Sequence, residues 1–547
     1  MNPTTDSRRQ LDTRLQQLQN QGLAPQLRQI LRGLEKESLR VQPNGHLAQT
    51  QHPRALGSTL THSSITTDYS EALTEFITPT FTDLQAPLDF LHELHQFAYS
   101  VMEDEKLWVN SMPCIMGPEE SIPIAEYGTS NEGLFKHVYR HGLWHRYGRV
   151  MQTIAGIHYN MSYPLGFWVG FQQILQDQQP LQTFISQQYF HLIRNFQRHV
   201  SIAIYLLGAS PAVCGSFLRG QKHKLEPLHK HTLIAPFGTS LRMSDLGYHN
   251  ATQKGLNISY NSLPEYVNTL YQATTTSHPD YEKIGVRVDG QYRQLNTNIL
   301  QIENEYYASI RPKRRLGHHQ RTLMALAESG VEYIEVRCLD LNPWQPVGID
   351  ADTLRFLDMF LLYCLLEPSP PISAQEYACI HKNQQTIVLD GRNPSHALRC
   401  GLGDVNVQTW AGHVLAQMDG IAELFDGQYG GREFQRVLAE QRAKIQSPEL
   451  TPSAQVIETL KKNNQSFFEF AMQCANDTAA HFLAHPPSDA LRERLTAEAS
   501  ESLAAQAALE AKPSSNFEHY LAQFMATPLP PVNGQNEAAH TQNTGTL

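Results

Sequence analysis

The sequence lacks the features that mark several large protein classes. Its seven cysteines are an odd set without CxxC spacing, which argues against a disulfide framework and a cysteine-rich zinc site. The longest apolar stretch, residues 200–213, is too short to span a bilayer. Residues 1–9 are polar and do not resemble a secretory signal. We therefore expect a soluble cytoplasmic protein.

Long basic runs and known phosphate-binding loops are also missing. Lys and Arg total 43 against 53 Asp and Glu, a net charge of −10, so an extended nucleic-acid-binding face is not expected. No GxxxxGK[ST] loop is present, and the GxG fragments lack the strand–turn–helix context of a dinucleotide site. Carboxylates around a hard cation such as Mg²⁺ are another way to hold nucleotide phosphates.

The spacing of apolar residues predicts a mixed α+β protein. Short alternating or β-branched runs predict strands at 34–41, 73–78, 152–162, 299–305 and 331–339. Helical spacing predicts an entry helix from about residue 9, interrupted near residue 22, and helices at 84–102, 181–207, 353–366 and 407–424. The predicted units are a helical segment 1–30, a main domain 31–485 with helical insertions, a C-terminal helix 486–512 and a flexible tail 513–547.

Acidic residues occupy alternate positions of two predicted strands. Glu35 and Glu37 would share one strand face, as would Glu335 and Arg337. Charges beside apolar positions are costly unless a partner or ligand satisfies them. From the residues alone, a solvated strand edge is the favoured explanation of the first pair. A buried ion pair and a functional site explain the second pair equally well.

Other candidate site residues lie outside these two strands. Asp68 follows the segment Ile-Thr-Thr (65–67) and Glu75 lies on an apolar run ending at Pro79, so a loop acid and a strand acid could converge. His158 lies on the strand candidate 152–162, where a hydrogen-bonded core histidine is commoner than a ligand. Gln301, Glu303 and Glu305 are predicted to share a strand face before a basic run. Carboxylates and cations together suit a metal-bound phosphate, although surface ion pairs are the commoner explanation.

Eight short segments follow one another in a distinctive order. They are RGLEKESLRV (32–41), ITTDYSEALTEFITP (65–79), YGTSN (127–131), MQTIAGIHYN (151–160), TSLRMSDLGY (239–248), QIENE (301–305), IRPKR (310–314) and VEYIEVR (331–337). Together they closely resemble glutamate–cysteine ligases of the proteobacterial type. The resemblance covers roughly residues 30–480.

This resemblance implies a fold and a reaction. The implied fold is α+β and similar to glutamine synthetase, with an antiparallel sheet curved into a funnel and surrounded by helices. The implied reaction joins the γ-carboxylate of glutamate to the α-amine of cysteine with ATP, through γ-glutamyl phosphate, as the first step of glutathione biosynthesis. Mg²⁺ is the implied metal, with Mn²⁺ as an alternative. We expect a monomer that binds glutamate, cysteine and ATP, and neither nucleic acid nor a membrane.

The resemblance also implies roles for individual residues. The implied metal ligands are Glu35, Glu37, Asp68, Glu75 and Glu335. Arg337 is implied to face the γ-phosphate and, with Glu335, to be catalytic. The implied substrate-binding residues fall into two groups. Tyr139, Leu143, Tyr248 and Tyr307 would form the cysteine pocket, with Tyr69 beside them, and the candidates for holding an anionic carboxylate or phosphate of the substrates are Arg242 and His158.

Two positions depart from the family pattern. Tyr69 stands where Phe is usual, which adds a hydroxyl to the cysteine pocket, and Val109 follows Trp108 where Pro is usual. The first departure leaves a ligase with another amine acceptor as an alternative. A non-catalytic protein whose acids merely bind a divalent ion is the alternative outside enzymes.

Overall fold

Strands in the described part of the computed structural model form one main sheet and three small ones. The strands are β1 (Leu31–Val41), β2 (Ile65–Thr67), β3 (Leu73–Ile77), β4 (Lys106–Leu107), β5 (Ile157–Ser162), β6 (Ala212–Cys214), β7 (Glu226–Pro227), β8 (Thr232–Ile234), β9 (Arg287–Val288), β10 (Gln291–Tyr292), β11 (Ile310–Lys313), β12 (Tyr333–Leu339), β13 (Ala397–Arg399) and β14 (Asp404–Asn406). The main sheet has the order β11-β12-β5-β1-β3-β2, with β4 paired to β1. All its pairs are antiparallel.

Helices surround the main sheet. The structure describes residues 5–113, 115–246, 255–317, 320–399, 404–513 and 515–532. The α-helices in these ranges are Thr5–Asn20, Ala86–Val101, Asn131–Tyr147, Leu165–Ile174, Leu181–Leu207, Gly215–Leu218, Leu263–Thr275, Pro279–Ile284, Thr322–Ser329, Ala351–Leu366, Ala374–Asp390, Val407–Ala416, Asp419–Tyr429, Glu433–Gln446, Pro452–Lys462, Phe467–Ala484, Asp489–Glu510 and Phe517–Ala526. Helices around an antiparallel sheet confirm the predicted α+β class, whereas curvature into a funnel stays a prediction. Within these ranges, none of the helices is both long and apolar enough to cross a membrane.

Strand β1 lies in the interior of the sheet, between β5 and β3. Lys36 and Arg40, the basic neighbours of its two acids, are buried. Lys36 Nζ lies 2.7 Å from His95 Nε2 and donates to Ser38 Oγ at 2.9 Å, on the opposite strand face from the acids. The solvated strand edge that the residues alone favoured is therefore wrong, because both long edges of β1 are paired.

A buried ion pair connects β1 to the helix Ala351–Leu366. Arg32 Nη2 lies 2.7 Å from Asp358 Oδ2, and both side chains are fully buried. Tyr159 on β5 donates from its hydroxyl to Asp358 Oδ1 at 2.5 Å. One carboxylate thus joins two adjacent strands to a helix packed behind them, and it offsets the cost of burying the guanidinium.

The helix Asn131–Tyr147, called the pocket helix below, lies beside the sheet face that carries the acids. It begins after Ser130, whose Oγ accepts a hydrogen bond from Gly133 N and so caps the first turn. A Cβ at position 133 would lie 2.2 Å from the Tyr127 carbonyl oxygen, so glycine is required there. The cap therefore fixes where the pocket helix starts.

The helix Phe517–Ala526 packs against the pocket helix. Leu521 is buried in an apolar cluster with Val138, and the rings of Phe135 and Phe524 lie 4.5 Å apart. The sequence predicted a flexible tail from residue 513, and this prediction is wrong for residues 517–526. Apolar residues at helical spacing, including Leu521 and Phe524, bury surface on the pocket helix and thereby stabilise the segment.

Candidate active site

The central strands place acidic side chains on one face of the main sheet. Glu37 lies directly opposite Glu75 in the β1–β3 pair, and Glu35 lies opposite His158 in the β1–β5 pair. Glu335 joins them from β12, the next strand beyond β5. Residues opposite one another in antiparallel strands point to the same face, as do residues two apart on one strand. The sheet thus brings together four of the five predicted metal ligands.

His158 lies in the middle of these acids. Its Nδ1 is 2.9 Å from Glu35 Oε2 and 3.8 Å from Glu335 Oε1, and its Nε2 is 3.8 Å from Glu37 Oε1. Ligand atoms of Glu35, Glu75 and His158 all lie within 4.8 Å of one another, close enough to hold one metal ion. His158, predicted as a substrate-binding residue, therefore lies where its ring could also hold a metal ion.

Asp68, the fifth predicted ligand, follows β2 and faces the acids of β1 and β3. Burial, then the charges of Glu35, Asp68 and Glu37, raise the pKa of Glu75 well above its ordinary value. Burial and Asp68 likewise raise the pKa of Glu37. Such crowded carboxylates are where a bound cation would lower the electrostatic free energy most. We call Glu35, Glu37, Asp68, Glu75 and Glu335 the acid cluster.

The donor atoms suit a hard divalent cation. Carboxylate oxygens are the ligands that Mg²⁺ and Mn²⁺ prefer, and they make up most of the donor atoms here. Glu335 Oε2 is buried and has no hydrogen-bond partner among the described residues. An ion held between Glu335 and its neighbours would satisfy this oxygen.

Cationic residues lie at the β12 end of the acid cluster. Arg337 Nη1 is 3.1 Å and Lys313 Nζ 3.5 Å from Glu335 Oε1, and Arg311 lies directly opposite Glu335 in the β11–β12 pair. Burial acts to raise the pKa of Glu335, but Lys313, Arg337 and His158 outweigh burial and hold it well below its ordinary value. Nearby cations thus outweigh burial at Glu335, whereas burial and neighbouring carboxylates outweigh them at Glu37 and Glu75.

Arg242 lies behind Arg337. Its side chain is 1% exposed, and its Nη2 donates to the backbone oxygen of Arg337 at 2.9 Å. A Cβ at Gly156 would lie 2.1 Å from the same nitrogen, so the absence of a side chain at position 156 makes room for the guanidinium. The predicted pair of anion-binding arginines is therefore adjacent in space.

A cavity of about 560 Å³ opens beside the acid cluster. Glu37 and Asp68 lie on its wall together with Arg337. The predicted cysteine-pocket residues that line it are Tyr69, Tyr139, Leu143 and Tyr307. Tyr248, also predicted there, lies outside the described residues. Acids, cations and an aromatic wall thus meet in one cavity.

Sequence reasoning missed several residues of this wall. The missed lining residues include Arg140, Tyr147 and Gln152, and Glu305 lines the wall as well. Arg140 donates from Nε to the backbone oxygen of Asp68, which ties the pocket helix to the acid cluster. The sequence feature that could have identified Arg140 is its position next to Tyr139 on an amphipathic helix. Glu305 was singled out, but in the wrong structural context.

Residues 299–305 do not form the predicted strand. A short 3₁₀ helix spans Glu303–Glu305, and its two acids point in different directions. Glu303 lies 3.1 Å from Arg321, whereas Glu305 accepts hydrogen bonds from Gln301 N and Arg146 beside the cavity. The prediction of one shared acidic face is therefore wrong, because the alternating pattern occurs here in a turn.

The Tyr69 hydroxyl, the main departure from the family pattern, does not reach the open cavity. The side chain is 1% exposed, and its oxygen is buried without a hydrogen-bond partner in the described part of the chain. Burial raises the pKa of this hydroxyl. The ring lines the cavity while the oxygen points into the protein, so the hydroxyl adds no polar group to the cavity surface.

Tyr69→Phe is accordingly expected to leave the choice of amine acceptor unchanged within about threefold, and to stabilise the fold by about 1 kcal/mol, because it removes an unsatisfied buried hydroxyl. Urea unfolding and kinetics with a panel of amines would test both. Tyr127→Phe is the matched control, since the equally buried Tyr127 hydroxyl donates to Thr67 O at 2.7 Å and its loss should destabilise. A tenfold change in acceptor preference on Tyr69→Phe would contradict this account.

A family model described as Glutamate-cysteine ligase matches residues 15–387, more than half of the chain. The chain belongs to the glutamate–cysteine ligase family. This confirms the family and the enzyme class that the eight motifs predicted. Glutamate–cysteine ligases of Alcanivorax borkumensis and Pseudomonas aeruginosa are similar along their whole length. The Alcanivorax protein is 53% identical over 94% of this chain and 99% of its own length. The Pseudomonas protein is 48% identical over 92% of this chain and 95% of its own length.

A solved structure of a similar protein agrees with this family, and a second solved structure agrees with the fold. A crystal structure of the glutamate–cysteine ligase from Francisella tularensis in complex with AMP has a TM-score of 0.85 and 34% identity, and covers 91% of this chain and 97% of that one. A bifunctional glutathione synthetase from Pasteurella multocida has a TM-score of 0.68 at 23% identity, covers 85% of this chain and 54% of that one, and shares the fold.

Proposed function

We propose that this protein joins the γ-carboxylate of glutamate to the α-amine of cysteine with ATP, by way of γ-glutamyl phosphate. The observation that carries the proposal is the juxtaposition of the acid cluster, Arg337 and an aromatic-walled cavity. Membership of the glutamate–cysteine ligase family supports the same three substrates. The AMP bound to the Francisella relative supports ATP as the nucleotide.

In this proposal the acid cluster holds a divalent cation. Glu35, Glu75 and His158 would be its ligands, with Glu37 and Asp68 beside them, and Mg²⁺ or Mn²⁺ would suit the donor atoms. When bound, the cation would neutralise phosphate charge near the reacting groups. Mounting the ligands on paired strands fixes their separation before any substrate arrives.

The first chemical step forms a bond between a γ-carboxylate oxygen of glutamate and the γ-phosphorus of ATP. The bond from that phosphorus to the bridging oxygen breaks, and ADP leaves with the electron pair. Both reactants are anions, so cationic side chains are needed to offset their repulsion. Arg337, with Arg242 behind it, supplies positive charge where negative charge builds up on the transferred phosphoryl group.

The second step forms the amide bond. The neutral α-amine of cysteine forms a bond to the acyl carbon and loses one proton to solvent. The tetrahedral intermediate then collapses as the carbon–oxygen bond to phosphate breaks, and phosphate departs with the electron pair. The rings of Tyr69, Tyr139 and Tyr307, with Leu143, would surround the small acceptor side chain. The buried position of the Tyr69 hydroxyl favours cysteine over a more polar acceptor and so disfavours the alternative of a different amine.

A coupled ADP-release assay tests the proposal. Release is expected with ATP, glutamate and cysteine, more slowly with 2-aminobutyrate and least with ammonia, because the cavity wall contacts the acceptor side chain. Chelation of divalent ions should abolish release, and Mg²⁺ should restore it. Absence of amine-stimulated release in the presence of Mg²⁺ would refute the ligase activity.

Melting temperature gives a second readout that does not depend on turnover. Mg²⁺ at about 100 times its Kd should stabilise the fold by about 2.7 kcal/mol, because the cation binds the folded acid cluster. Glu75→Gln should reduce this shift, since it removes one ligand. A non-catalytic metal-binding protein would show the shift without cysteine-dependent ADP release.

A further inference from the structure

A buried carboxylate that no step of the proposed mechanism uses lies directly after β12. Asp340 is 5% exposed, three residues beyond Arg337. Its Oδ2 accepts hydrogen bonds from Ala209 N at 2.9 Å and Ser210 Oγ at 2.6 Å, and its Oδ1 accepts one from Ser240 Oγ at 2.9 Å. Asp340 therefore links the end of β12 to two distant segments of the chain.

Both segments determine where Arg242 lies. Ser240 caps the 3₁₀ turn Leu241–Met243, because its Oγ also accepts from Met243 N. Ser210 O accepts from Leu241 N at 2.7 Å, and Ser210 Oγ from Arg242 N at 3.4 Å. The hydrogen bonds of Asp340 thus end on the two serines that hold the backbone of this turn.

Charge also links Asp340 to Arg242. Burial raises the pKa of Asp340, and the Arg242 guanidinium opposes that rise, so the two groups are close enough to interact as charges. Arg242 in turn donates to the backbone oxygen of Arg337. Contacts therefore connect Asp340, at the end of β12, to the turn that carries Arg242. Arg242 in turn contacts Arg337, the β12 residue that faces the cavity.

We infer that Asp340 is a positioning residue that fixes Arg242 against Arg337, the arginine that lines the cavity, an inference that rests on the proposed role of this arginine pair. Asp340 does not line the cavity beside the acid cluster, so it acts through Arg242 rather than on substrate. A carboxylate suits this task because its two oxygens together accept all three hydrogen bonds, and an apolar residue would leave Ser210, Ser240 and Ala209 N without them.

Kinetics of Asp340→Ala and Asp340→Asn in the full-length enzyme test this inference. Asp340→Ala should lower kcat/KM for glutamate about 100-fold at saturating ATP, because Arg242 would no longer hold Arg337 and a small displacement of that cavity residue is enough for such a loss. Asp340→Asn should stay within about fivefold of the parent enzyme, since its amide keeps one oxygen acceptor and can donate to Ser240 Oγ.

A double-mutant cycle separates positioning from stability. In an Arg242→Ala background, Asp340→Ala should change kcat/KM less than about threefold, because the group that it positions is already gone. Asp426→Ala is the matched control: Asp426 is also buried and accepts from Phe434 N and Gln435 N, far along the chain from the site. This control variant should lower the melting temperature and leave KM for glutamate unchanged.

The outcomes distinguish this inference from the proposed function. Equal losses from Asp340→Ala in both backgrounds would overturn the positioning role, as would a loss in melting temperature with unchanged kcat/KM. If Arg242→Ala itself retained full activity, the proposed role of Arg242 would fail, while ADP release with glutamate and cysteine would still support the ligase reaction.

Discussion

Replacing Arg337 with alanine is expected to lower kcat about 100- to 1,000-fold, the loss typical of removing one charged or hydrogen-bonding group that stabilises a transition state. Arg337 lines the cavity, and its Nη1 lies 3.1 Å from Glu335 Oε1. Its charge is needed only as the phosphoryl group transfers, so KM for cysteine should change little. Steady-state ADP release, with each substrate varied in turn, would measure both quantities.

Two variants make the Arg337 result specific. Arg337→Lys keeps the positive charge but loses the planar guanidinium, so it should recover only part of the rate. Arg315→Ala removes a nearby cation whose side chain is 85% exposed and should leave kcat within about twofold. Near-normal turnover of Arg337→Ala would show that the assignment is wrong.

Asp358→Ala is expected to lower the free energy of unfolding by about 3–5 kcal/mol, because it leaves the Arg32 guanidinium buried without its counter-charge. Asp358 accepts from both Arg32 Nε, at 2.9 Å, and Arg32 Nη2. The midpoint of urea unfolding at neutral pH would measure the loss. Activity should fall as well, since the lost contacts hold β1 and β5, which carry Glu35 and His158.

A paired replacement distinguishes the buried charge from simple loss of packing. Arg32→Met combined with Asp358→Leu should recover much of the stability, because apolar residues of similar volume replace both charges. Asp352→Ala on the same helix removes a partly exposed ion pair with Arg436 and should cost less than about 1 kcal/mol. A comparable loss from Asp352→Ala and Asp358→Ala would contradict the importance of the buried pair.

Local periodicity was enough to predict several elements of this fold. The helix Leu181–Leu207 has the predicted bounds, and β1 and β12 contain the two predicted acidic faces. These predictions succeeded because the apolar residues of each element repeat at the spacing of its backbone, which depends on neighbours a few positions apart. The same rule placed Glu35 and Glu37 on one side of their strand.

Contacts between distant segments could not be derived in this way. Pairing of Glu35 with His158, 123 positions away, depends on how β1 and β5 meet in the sheet, and the family resemblance alone suggested that they share a site. The direction of the Tyr69 hydroxyl depends on tertiary packing, which the residue type does not reveal. Residues 299–305 alternate like a strand, yet tertiary contacts hold them in a turn.

The position of β12 next to β5 has a consequence for how the protein is made. At about 5–20 residues per second, the ribosome completes β12 roughly 10–35 s after β5. During that interval the nascent chain carries Glu35, Glu37 and Glu75 without Lys313 and Arg337, and the β5 edge that later receives β12 is open to other strands. The strands that complete the sheet, β11 and β12, also supply its counter-charges, so edge and acids alike lack their partners until the last two strands have been made.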